Sequence, residues 1–72
     1  MNAALIALAN HFDATKPGYV KNAEQTHRTL VWLTHDFAAS GDAIRALNAT
    51  GVFDGPYVPG VRTIARTARQ IA

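Results

Sequence analysis

Seventy-two residues, 49% of them hydrophobic and 17% charged, fit one small domain over 1–72 and exclude a disordered tail. The lack of cysteine excludes disulfides, thiolate metal sites and thiol chemistry. The net charge of +2 is uneven: residues 55–72 carry Arg62, Arg66 and Arg69 and no acid, giving +3, whereas residues 1–54 carry −1.

Alanine dominates the apolar half, and alanine favours helix while adding little core volume. A chain this short buries only about 60% of the surface its unfolded form exposes. Close-packed helices follow, and burial of part of the surface against a second chain is expected.

The first helix is predicted over 2–12. At about 100° per residue, Leu5, Leu8, Ala9 and Phe12 share one face, with Met1 and Ile6 at its margins. Pro17-Gly18 then supplies the two central residues of a type II turn. The second helix is predicted over 22–39. Asn22 caps it and Gln25 completes a capping box. Ala23, Thr26, Leu30, Leu33 and Phe37 recur at spacings of three and four as a buried stripe.

Ser40-Gly41 reads as the stop of that helix, with Ser40 capping the next, predicted over 42–50 with Asp42 in its first turn. Gly51 suits the left-handed position that follows. Asp54 to Gly60 reads as an irregular connection, and the last helix is predicted over 60–72 with Val61, Ile64, Ala65, Ala68 and Ile71 inward. The expected fold is all-α, a compact three- or four-helix domain. Its core is expected to hold Leu5, Leu8, Phe12, Leu30, Leu33, Phe37, Ile44, Leu47, Val61, Ile64 and Ile71.

Three features bear on function. Arg62, Arg66 and Arg69 track one helix face, as a phosphate-contacting helix requires, although a plain solvated face has the same pattern. A helix-turn-helix is excluded because Gly51 to Pro59 is too long for its turn. Trp32 points about 200° away from Leu30 into a polar face with Arg28 and His35, which marks an interface; packing within the chain, or cover by Arg28 as a cation–π pair, are the alternatives.

The histidines His11, His27 and His35 lack metal-ligand spacing, so no metal and no cofactor is expected. No nucleophile elbow, phosphate loop or carboxylate pair occurs, so the chain is not expected to be an enzyme. The longest apolar stretch, Ala3 to Ala9, is too short to span a membrane, and no Lys or Arg precedes Lys16 to flank an export signal, so a cytoplasmic location is expected.

In size, alanine-rich helical make-up and lack of catalytic motif the chain resembles the small proteins encoded by bacteriophages and mobile elements. That likeness rests on style rather than on a motif and transfers no site. It implies a regulator that works by binding. The sequence thus points to a non-enzymatic interaction protein, an inhibitor, adaptor or regulator, docking a helical face with Trp32, Arg28 and His35 on a protein partner. Self-association as a homodimer is expected, with Tyr19 and Tyr57 also offering surface. The alternative is a nucleic-acid or acidic-partner binder acting through Arg62, Arg66 and Arg69.

Overall fold

A computed structural model describes all 72 residues as four helices: α1 (Ala3–Ala14), α2 (Ala23–Thr34), α3 (Phe37–Ala49) and α4 (Val61–Ile71). There is no strand beyond one isolated antiparallel bridge, Val20 with Gly60. The radius of gyration, 10.7 Å, matches the roughly 11 Å of a compact chain of this length. No helix is long and apolar enough to cross a membrane.

The start of each helix follows from local chemistry. Asn2 caps α1 by accepting from the Leu5 N–H at 3.2 Å. Asn22 and Gln25 form the predicted capping box on α2: the Asn22 side chain accepts from the Gln25 N–H at 2.8 Å, and the Gln25 side chain accepts from the Asn22 N–H at 2.9 Å. Asp36 caps α3 by accepting from the Ala39 N–H at 3.0 Å. Gly60, without a side chain, cannot cap α4. There the backbone substitutes: the Val61 N–H donates to the Tyr19 carbonyl, and beside it the Lys21 N–H donates to the Pro59 carbonyl.

These two bonds tie the 15–22 connection to the start of α4. At the other end of the pair the Asn2 N–H donates to the Ala72 carbonyl, so α1 and α4 run antiparallel. They form the most extensive helix pair, followed by α2 with α3. One core cluster joins all four: Leu5, Leu8 and Phe12 from α1, Leu30 from α2, Ile44 and Leu47 from α3, Val61 and Ile64 from α4. Ala4, Ala9, Ala43, Ala65 and Ala68 fill the remaining core positions, where small side chains let the helices approach closely.

The structure corrects the predicted helix over 22–39. It breaks at His35, which adopts the left-handed conformation (φ 52°, ψ 29°), and α3 starts at Phe37 instead of 42. Ser40 and Gly41 lie inside α3, and Asp42 is past its first turn. The break is held by side chains. The Thr34 hydroxyl donates to the Leu30 carbonyl at 2.8 Å and accepts from the Asp36 N–H at 3.1 Å. The buried Ser40 hydroxyl lies 2.8 Å from both the Thr34 hydroxyl and the Asp36 carbonyl oxygen. Ser40 is therefore the hub of a corner, not a helix cap.

The core expectation changes accordingly. Phe37 belongs to the next helix, leaves the α2 stripe and is 73% exposed. Leu33 is half-buried against the core. Ile71 is the final residue of α4 and is exposed. Gly51 takes the expected positive φ, 78°, after α3, and Gly18 does the same (100°) in the Pro17-Gly18 turn.

Candidate functional site

Two surfaces stand out, one on each side of the α1 helix. The first is built around Trp32. Its place on α2, away from Leu30, puts the indole outside the core, and 63% of the residue is exposed. One edge meets the imidazole of His11 from α1, the ring centroids 5.4 Å apart in an edge-to-face arrangement. His11 also tilts against Phe12 in the core, at 5.9 Å, so the indole rests on a residue that is itself braced.

Arg28 does not cover the indole. Its guanidinium reaches Glu24 at 3.0 Å, one turn back along the helix, so the cation–π alternative gives way to an exposed ion pair. His35 ends α2 in the left-handed conformation and is exposed. Trp32, Arg28 and His35 thus lie along the same helix and its end without forming a joined cluster. His11 is the contact that sequence reasoning missed, because it comes from another helix.

Phe37 is the second large exposed aromatic here. It tilts against His27 of α2, with ring centroids 5.6 Å apart. His27 lies about 140° around α2 from Trp32 by helical geometry, so the two aromatics flank the helix on separate sides. The His27 Nε2 is buried and has no hydrogen-bond partner. Tyr19, Val20, Tyr57 and Val58 are also exposed, where the 15–22 and 51–60 segments run side by side.

The second surface is a groove of about 480 Å3 between the end of α1 and the outer face of α4. It is lined by Asp13, Arg62, Arg66, Arg69 and Gln70, with no apolar side chain. The stripe read from the sequence is thus brought together, and α1 adds to it. Arg69 forms an ion pair with Asp13 and donates to the Asn10 side chain at 2.8 Å. Neither Arg62 nor Arg66 has an acidic partner. No acid stands in the first turn of α4 to offset them.

The acids offer no acid–base pair. Asp13, Glu24 and Asp42 are each matched to an arginine (Arg69, Arg28 and Arg45), and Asp36 serves as a helix cap. No three His, Asp or Glu side chains come together in a way that holds a metal ion. Compared with family models, with characterised proteins and with solved structures, the chain matches none.

Proposed function

We propose that the chain is a small non-enzymatic interaction protein, of inhibitor, adaptor or regulator type, that docks the α2 face carrying Trp32 on a protein partner. The observation that carries this reading is the indole itself: 63% exposed, braced on one edge by His11 and left uncovered by Arg28. A large aromatic held in place before binding loses little conformational freedom when covered, and tryptophan and arginine are the residues most enriched in binding hot spots. His35 and the Arg28–Glu24 pair stand exposed along the same helix and at its end, polar groups suited to the rim of such an interface.

A second copy of the chain is the first partner to test, since a two-fold dimer is the commonest closed assembly. The cytoplasm is the compartment this reading assigns, the default for a chain without cysteine. The experiment is affinity capture from nuclease-treated lysate of the source organism with the native chain and Trp32→Ala in parallel, alongside light scattering of each. A discrete protein, or a dimer, present with the native chain and lost with Trp32→Ala supports the reading. Identical capture and identical mass for both chains overturn it.

A further inference from the structure

The α1–α4 groove carries a second site, independent of the Trp32 surface: we infer that it binds the phosphodiester backbone of nucleic acid, without reading bases, through the two unpaired guanidiniums of Arg62 and Arg66. Arg62, Arg66 and Arg69 occupy one groove against the single carboxylate of Asp13, which leaves a local balance of +2, equal to the net charge of the whole chain. The chain's excess positive charge is therefore gathered in one place.

Geometry then divides the three arginines. Arg69 is clamped by Asp13 and Asn10, across 56 and 59 residues of sequence, and fixes the wall of the groove. Arg62 and Arg66 are exposed, four residues apart on one helix face, and about 6 Å apart along the axis by helical rise. Two separate guanidiniums at that spacing meet successive anionic groups better than they meet one. Each presents a planar donor fork matched to phosphate oxygens.

The lining selects the class of partner. A protein interface has an apolar centre, and this groove contains no apolar side chain. A phosphate backbone asks only for cations and hydrogen-bond donors, and Gln70 adds an amide. That same amide is the one uncharged polar side chain in the groove, too little to distinguish bases.

Asp13 sets the strength of the site. Its ion pair with Arg69 is about 40% exposed on both partners, so it neutralises one guanidinium without locking the groove. Two free cations give a slope of log affinity against log salt of about −1.8 on duplex DNA, and three give about −2.7. Removing the Asp13 charge should therefore convert a two-contact site into a three-contact site.

The test measures fluorescence anisotropy of a labelled, random-sequence 12-base-pair duplex between 20 and 200 mM NaCl. The native chain should lose about 60-fold in affinity over that range, and Asp13→Asn about 500-fold, with tighter binding than native at 20 mM. Arg62→Gln/Arg66→Gln should lose at least about tenfold at 20 mM and show little salt dependence. Both positions are exposed, and circular dichroism should report an unchanged fold. Three results overturn the inference: no binding by the native chain at 20 mM, equal binding by the double variant, or tighter binding of a poly-glutamate peptide than of the duplex. None of these touches the Trp32 reading, which capture and mass test separately.

Discussion

Replacing Thr34 with valine tests whether the corner between α2 and α3 is held by side-chain hydrogen bonds. The substitution keeps the branched shape and removes one hydroxyl. That hydroxyl lies 2.8 Å from the Leu30 carbonyl, 3.1 Å from the Asp36 N–H and 2.8 Å from the buried Ser40 hydroxyl. The Asp36 N–H is exposed and water takes over its bond, while the Ser40 hydroxyl keeps the Asp36 carbonyl at 2.8 Å. No group is left fully orphaned, so the loss is that of two partly buried bonds and one exposed one, about 1–2 kcal/mol in total. For a domain of this size each kcal/mol moves the melting temperature by about 4–8 °C. Thermal and urea unfolding of Thr34→Val should show that loss, whereas Thr63→Val on the exposed face of α4 should change stability by less than about 0.5 kcal/mol. Ser40→Ala combined with Thr34→Val should fall short of additivity by at least about 0.5 kcal/mol, because both hydroxyls belong to one network. A Thr34→Val chain within about 0.3 kcal/mol of native would refute this account of the corner.

Two further outcomes follow from burial and backbone geometry. Leu30 is fully buried and Trp32 mostly exposed, so Leu30→Ala should cost about 2–5 kcal/mol in urea unfolding and Trp32→Ala less than about 1 kcal/mol; the reverse order would place the indole in the core. Gly51 has φ 78°, and a Cβ there meets only the Asp54 carboxylate at 3.6 Å, so Gly51→Ala should cost about 1–2 kcal/mol of backbone strain without a clash, read as a lower melting temperature.

Much of the fold was legible because it rests on local chemistry. The Asn22–Gln25 box, the Pro17-Gly18 turn and the left-handed Gly51 involve residues within three positions of each other, and all three formed. The break at 34–36 was hidden by register. Leu30, Leu33 and Phe37 continue the three-and-four spacing straight through it, and Ser40-Gly41 offered a stronger stop by composition alone. The true stop depends on a non-glycine residue in the left-handed region and on Thr34 meeting Ser40, six residues away. The arginine stripe was legible for the same reason that the turns were, since its members lie one turn apart. Asp13 and Asn10 were not, because only the antiparallel packing of α1 on α4 brings them to Arg69. His11 beside Trp32 is another contact between helices that no sequence spacing encodes.

Trp32 is the chain's only tryptophan, so its fluorescence reports on that one position. The central claim is that the indole stands open in the free chain and is covered when a partner docks. Acrylamide quenching of the folded protein, compared with the same protein in urea, measures this directly. The account predicts red-shifted emission and quenching close to that of the unfolded chain at a concentration where light scattering gives the mass of one chain. Blue-shifted emission that acrylamide scarcely quenches under those conditions would contradict it.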